Sequence, residues 1–308
     1  MLKMRYQSLR TKLFFYSIIF CFAGVVLVGV YSYFTAREAL IQRTYQQLIS
    51  LKEEKKTRVE SFFKERERDI KFLSTHDNIL GLFDSFTGDA KKFERHESII
   101  NKKLVEYLTD ANVYSSLSFG LPNGVIYSFK LDSIERISAY SSSNLKNTLL
   151  FDLYQKVVSL KMVVLQDLTK SMLANDYTCF IASPIYSNDS TLLGVIFLEI
   201  SANAINSIMA EQISDKGLGK TGEAYLVGSD NLLRSSSRFL EKSILSVSYS
   251  SDIITKAQKG FTGVKKTRDY RNQKVLSAYG PVTITNIGWV IVAEMDYREA
   301  INPILLLG

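Results

Sequence analysis

The chain has 308 residues, 46% of them hydrophobic and 22% charged, and a formal net charge of +7. That size supports two modest cores, and only 4 prolines with no low-complexity tract exclude a disordered spacer. The basic excess is a topology signal: Lys3, Arg5, Arg10 and Lys12 precede the first apolar run and every acidic residue follows it. Little positive charge is left beyond that run, so no nucleic-acid partner is expected.

Residues 13–34 carry no charge, and at about 1.5 Å per residue they are long enough to cross a hydrocarbon core of roughly 30 Å. They predict a transmembrane helix, with residues 1–12 cytoplasmic by their basic bias and the rest of the chain outside. A cleaved signal peptide fits poorly, because the run is too long and Thr35-Ala36-Arg37 makes a poor small-residue cleavage site. Cys21 falls in this run and Cys179 in an apolar strand, so no internal disulfide is expected.

Residues 36–80 contain neither proline nor glycine and are rich in helix formers. They predict a stalk helix of roughly 65 Å. Ile41, Tyr45, Leu48, Val59, Phe62, Ile70 and Leu73 keep a broken three-four spacing. Part of that stripe is expected to pack on the following modules and part on a second copy of the chain, giving a homodimer. Glu53-Glu54-Lys55-Lys56 reads as a solvated turn of the helix.

A first module is expected over 81–201. It takes in a helical stretch at 91–108, a hairpin of 115–120 and 125–131 around Asn123-Gly124, a helix at 149–160, and strands at 163–166 and 177–185. A connecting helix spans 202–216 and a second module 217–302. Each module ends the same way. Ala182-Ser183-Pro184-Ile185, Gly194, an apolar strand to Glu199 and Ala204-Ile205-Asn206 are matched by Ala278-Tyr279-Gly280-Pro281-Val282, Gly288, a strand to Glu294 and Ala300-Ile301-Asn302. Strand, turn, strand and helix in tandem give an α+β class with two PAS-like sheet modules. Residues 303–308 are apolar and read as the start of a second transmembrane helix, cut short.

The second module opens with Gly217-Leu218-Gly219-Lys220-Thr221-Gly222-Glu223-Ala224-Tyr225-Leu226-Val227-Gly228. Gly219-Lys220-Thr221 invites comparison with a phosphate loop, but Ser214 stands where the first glycine belongs, and the segment follows a helix instead of a strand. A turn into a strand at 223–228, returning through Ser229-Asp230-Asn231 to 232–235, is the better reading.

The run from Gly217 to Phe239, with Leu276-Ser277-Ala278-Tyr279-Gly280-Pro281 and Gly288-Trp289 to Glu294, resembles the membrane-proximal half of the double Cache sensor domain. Tyr154-Gln155-Lys156-Val157-Val158, Gln166-Asp167-Leu168 and Phe180-Ile181-Ala182-Ser183-Pro184-Ile185 resemble its distal half. The resemblance covers nearly all of 36–303. It implies an extracytoplasmic small-molecule sensor between two membrane helices, as found on methyl-accepting chemotaxis proteins, sensor histidine kinases and nucleotide cyclases. The Arg-x-Trp-Tyr pattern of the family's amino-acid binders is absent: Glu135-Arg136-Ile137-Ser138-Ala139-Tyr140 stands in that region and the single tryptophan is Trp289. An α-amino acid ligand is therefore disfavoured.

Tyr127, Phe129, Tyr140, Asp167, Tyr177 and Phe180 are the candidates for lining a pocket, with Asp167 able to hold an amine. Core packing for the aromatics and a cap for Asp167 are the plain alternatives. Arg234 and Arg238 are candidates for clamping a carboxylate, or else solvated surface arginines. His76 and His96 lie far apart with no metal-ligand spacing and no nucleophile motif, so neither an enzyme, a cofactor nor a metal is expected in this region. The expected protein is a bacterial membrane receptor for an extracellular amine, carboxylate or similar molecule, with chemotaxis as the first choice of output. A histidine kinase or cyclase is the second, and a membrane-anchored adhesive protein is the rival of another kind.

Overall fold

A computed structural model describes residues 9–77, 79–81, 113–131, 137–170, 177–210 and 219–305, and from 130 to 144 the backbone alone. Helix α1 (Leu9–Thr75) is a single element of 67 residues, about 100 Å long at helical rise. The two helices expected from the sequence are therefore one. Beyond it Ile79 and Leu80 donate back to the His76 carbonyl. The apolar stretch from Leu13 is long and apolar enough to cross a membrane, and its large side chains, Phe20 and Tyr31 among them, are exposed. The stretch expected to be helical at 91–108, with His96, lies outside the described residues, as do Glu135 and Arg136.

Six antiparallel strands form the first sheet, in the order β3-β2-β1-β6-β5-β4. They are β1 (Tyr114–Gly120), β2 (Val125–Leu131), β3 (Ile137–Asn144), β4 (Val164–Lys170), β5 (Tyr177–Tyr186) and β6 (Leu192–Ser201). Helix α2 (Leu150–Leu160) precedes β4, and α3 (Ala202–Ala210) leads out of β6. The second sheet, ordered β7-β10-β9-β8, holds β7 (Glu223–Val227), β8 (Gly263–Arg268), β9 (Lys274–Pro281) and β10 (Val290–Asp296). Helix α4 (Asp252–Gln258) precedes β8, and α5 (Tyr297–Leu305) follows β10. The tandem repeat is β5-β6-α3 against β9-β10-α5.

Alternation along each strand gives each sheet two apolar faces. One face of both sheets packs on α1 in a continuous core that takes in Leu48, Val59, Phe63, Ile70 and Leu73 of the helix. The opposite face of the first sheet packs Val164, Ala182, Val195 and Phe197 against Leu153 and Val157 of α2. That of the second packs Tyr225, Val290 and Val292 against Ile253, Ile254 and Ala257 of α4. Full burial of each such aliphatic side chain contributes about 1.5–3 kcal/mol.

One reading of the stalk is corrected. Within Glu53-Glu54-Lys55-Lys56, Glu53 is exposed but Lys55 is 0% exposed, not solvated; with the neighbouring Lys52, 1% exposed, it fills the gaps in the three-four stripe with its methylene stem. Lys55 Nζ donates to the Ile208 carbonyl at 2.6 Å, meeting an orphan acceptor in the last turn of α3 where the helix dipole favours a cation.

Candidate ligand site and module junction

On the first sheet's face away from α1, a polar strip crosses β2, β1, β6 and β5. Ser116 and Phe180 both stand opposite Glu199, and Ser118 stands opposite Ser128. Ser116 Oγ donates to Glu199 Oε2, and the Ser118 and Ser128 hydroxyls bond at 2.9 Å. Glu199 is 5% exposed and Thr178 3%. Thr178 Oγ1 has no hydrogen-bond partner among the described residues. An unpaired buried hydroxyl costs about 1–3 kcal/mol, and stable folds rarely keep one without a purpose. Carboxylate, hydroxyls and the Phe180 ring together can accept from an ammonium or hydroxyl group while covering its carbon with an apolar wall.

The aromatic residues singled out from the sequence divide between the two faces. Phe129 lies in the α1-side core and meets Phe119 edge-on at 5.9 Å. Tyr127 and Tyr177 pack against that same core. Phe180 packs on the opposite side, against the α2 cluster. Tyr140 stands on β3 in register with Phe129, and its side chain lies outside the described residues. Glu199, Thr178 and Ser116 were not foreseen as site residues. The available signal was Glu199 itself, the one charge in a strand otherwise reading Leu-Leu-Gly-Val-Ile-Phe-Leu.

Asp167 and Arg234 meet each other. Arg234 Nε and Nη2 donate to the two Asp167 oxygens, each at 3.0 Å, a bidentate pair joining β4 of the first module to the return strand of the second. Nη2 also lies 2.9 Å from Asp230, and Nη1 donates to the Leu232 carbonyl at 3.0 Å. Trp289 Nε1 adds a bond to Asp167 Oδ1 at 2.8 Å, while the Trp289 ring meets Phe63 of α1 edge-on. Arg234 is 4% exposed, which corrects its reading as a solvated surface arginine: the carboxylate it clamps is the chain's own. Gly228 makes room for it, since a Cβ there would fall 2.3 Å from the guanidinium carbon. Arg238, exposed, turns its guanidinium to the Gly222 carbonyl at 2.8 Å.

In the second sheet Glu294 occupies the place that Glu199 holds in the first, with Glu223 and Ser277 opposite it. Tyr225 donates to Glu294 Oε2 at 3.0 Å, Ser277 Oγ lies 3.3 Å from the same atom, and Tyr270 donates to Glu223. Burial first, then the facing Glu223 and Asp269, hold the Glu294 carboxyl well above its ordinary range. Burial likewise raises Glu223. Where a phosphate loop was considered, the Lys220 and Thr221 amides donate to the Glu299 carboxylate of α5 at 2.7 and 2.8 Å, so a carboxylate of the chain takes the place a phosphate would need.

A family profile described as Cache domain, in its dCache form, matches residues 32–304. The chain belongs to the Cache domain family. No curated protein sequence matches it. Among solved structures, the sensory domain of the Campylobacter jejuni chemoreceptor Tlp3 with isoleucine bound is 15% identical, with a TM-score of 0.61, covering 86% of this chain and 97% of that one. A sensory box/GGDEF family domain from Vibrio parahaemolyticus is 12% identical, with a TM-score of 0.65, covering 85% and 99%. The extracellular domain of the putative histidine kinase vpHK1S-Z8 is also 12% identical at 0.65, covering 86% and 95%. At these identities the likeness establishes the fold, a dCache sensor architecture that occurs on chemoreceptors, histidine kinases and GGDEF proteins.

Proposed function

We propose that this chain is the extracytoplasmic sensor region of a bacterial transmembrane receptor. Residues 1–12 lie in the cytoplasm and 13–34 cross the membrane. The stalk at 36–80 pairs two copies, the first module over 81–201 takes the ligand, and 202–216 connects it to the second module over 217–302. A further membrane pass starts at 303. The observation that carries this reading is the buried strip of Thr178, Glu199 and Ser116 beside Phe180. It suits a small molecule whose ammonium sits on Glu199 and whose second polar group meets the Thr178 hydroxyl. The Pseudomonas aeruginosa PctC domain solved with GABA, which is not an α-amino acid, holds a compound of that kind; the Tlp3 domains solved with isoleucine and L-valine hold the α-amino acids that the missing Arg-x-Trp-Tyr pattern disfavours here. Chemotaxis is the output we assign. A histidine kinase or cyclase output is the second reading, in keeping with the histidine kinase and sensory box/GGDEF family domains that share the fold.

The test is a thermal-shift screen of the full chain in phosphatidylcholine nanodiscs against amines, amino acids, carboxylates and purines. A ligand that binds only the folded state raises the melting temperature by mass action. A hit lost in both Thr178→Val and Glu199→Gln supports the site. No shift across the panel supports the adhesive rival instead.

A further inference from the structure

A cavity of about 250 Å³ lies between α3 and the start of the second sheet, lined by Asn206, Met209, Ala210, Glu223, Ser237 and Arg238 among others. Its one carboxylate belongs to Glu223, itself 1% exposed. Glu223 stands directly opposite Glu294, which is 0% exposed and whose Oε1 accepts no hydrogen bond among the described residues. Neither carboxylate has a cationic partner among those residues. Arg271 is paired with Asp269 at 2.6 Å and Asp296 at 2.8 Å, and the Arg238 guanidinium, also in the cavity wall, turns to the Gly222 carbonyl. Glu223 Oε1 accepts from Tyr270 and Oε2 from the Arg238 amide at 3.2 Å, which leaves each oxygen a further lone pair. Two buried carboxyls side by side cannot both be charged without a compensating cation. Polar groups and the apolar Met209 and Ala210 share the cavity wall, the mixture that suits a charged head on a short carbon chain.

We propose that this cavity is a second binding site, which takes the ammonium group of a small aliphatic amine on Glu223, with its carbon chain against Met209 and Ala210. Ammonium is favoured over a metal ion because no group of three or more His, Cys, Asp or Glu among the described residues is arranged to hold one. The site is separate from the strip on the first sheet, so either can stand if the other fails. Binding here would bear on α3, whose Asn206 Oδ1 accepts from the Ser236 amide at 2.8 Å, and so on the joint between the modules.

The experiment is isothermal titration of the full chain in phosphatidylcholine nanodiscs with n-butylammonium and 1,4-diaminobutane. Butanol, butyrate, magnesium and calcium serve as controls. Saturable binding of an amine is expected, weakened about 10- to 100-fold by Glu223→Gln, the range for losing a hydrogen bond to a charged group. Lengthening Ala210 to Leu should weaken it by filling the cavity, a second arm that does not disturb the acid pair. The proposal is overturned if no amine binds, if Glu223→Gln binds as the parent does, if Thr178→Val abolishes the binding, or if only the divalent cations bind.

Discussion

Breaking the Asp167 and Arg234 pair should loosen the two modules from each other, and a double-mutant cycle can measure by how much. Asp167→Ala removes two bonds from a guanidinium that is 4% exposed, and it strips the acceptor from the Trp289 indole, itself 1% exposed. A buried indole N–H left unpaired costs about 1–3 kcal/mol. Because the Asp167 side chain is 30% exposed and Asp230 remains beside the guanidinium, the loss of the ion pair is discounted to about 1–2 kcal/mol, below the 3–5 of a fully buried one. The sum, about 2–5 kcal/mol, corresponds to a fall in melting temperature of roughly 5–15 °C for a domain of this size.

Asp167→Asn keeps an acceptor for Trp289 and should cost only about 1–2 kcal/mol. Arg234→Met keeps the stem's packing and removes the charge. If the two groups hold each other, the double variant falls short of the sum of the singles by at least about 1 kcal/mol. Hydrogen exchange should also show faster opening at β4 and at the return strand together. Strictly additive effects, or an Asp167→Ala cost below about 0.5 kcal/mol, would refute the clasp and leave Asp167 free for the ligand role its position in the sequence suggested.

Three further outcomes follow from the second module. The folded state keeps a proton on Glu294 that the unfolded chain releases, so its contribution to stability is present at acid pH and is lost as pH rises through the raised value. Glu294→Gln should therefore gain in melting temperature over the parent as pH goes from about 5 to about 8, and a constant or shrinking gap would contradict this. Gly219 has φ +64°, and a Cβ there would lie 2.2 Å from Glu299 Oε1. Gly219→Ala combines left-handed strain of about 1–2 kcal/mol with displaced amide bonds, and should destabilise by about 2–4 kcal/mol. Burial raises the Glu299 carboxyl, but the Thr221 hydroxyl and the two amides outweigh it and hold it below the ordinary range. The parent should thus lose stability on acidification that Glu299→Gln does not, as melting curves at about pH 3 to 6 would read.

The repeat, the Asn123-Gly124 hairpin and the stripe on α1 were legible because local chemistry decides them: glycine permits the turn, and periodicity marks a buried face. Strand β3, serine-rich over Ser141–Ser143, and β8, with Lys265 and Lys266, were not foreseen, because edge strands carry polar residues that mask the strand pattern. Alternation correctly put Tyr127 and Phe129 on one face, but alternation does not say which face meets the stalk. That depends on packing against a helix far away in the chain. The pairing of Asp167 with Arg234, 67 residues apart, was equally invisible. Each was read alone as a ligand group, since a lone carboxylate and a lone guanidinium look the same whether they wait for a ligand or for each other.

The two modules carry an acid at the same point of the same strand, and its surroundings account for the different work each can do. Glu199 is flanked by the Ser116 hydroxyl, which donates to it, and by the Phe180 ring. Glu294 faces a second acid and is closed in by tyrosines, a setting that holds its proton. Between them run α1, whose buried Lys55 ties the stalk to α3, and the Asp167 clasp, both built of directional bonds inside close-packed surroundings. Such contacts do not stretch gradually; they hold or they change partners. The clasp joins β4 to the second module, and Arg234, already shared between Asp167 and Asp230, keeps a carboxylate partner if Asp167 moves away.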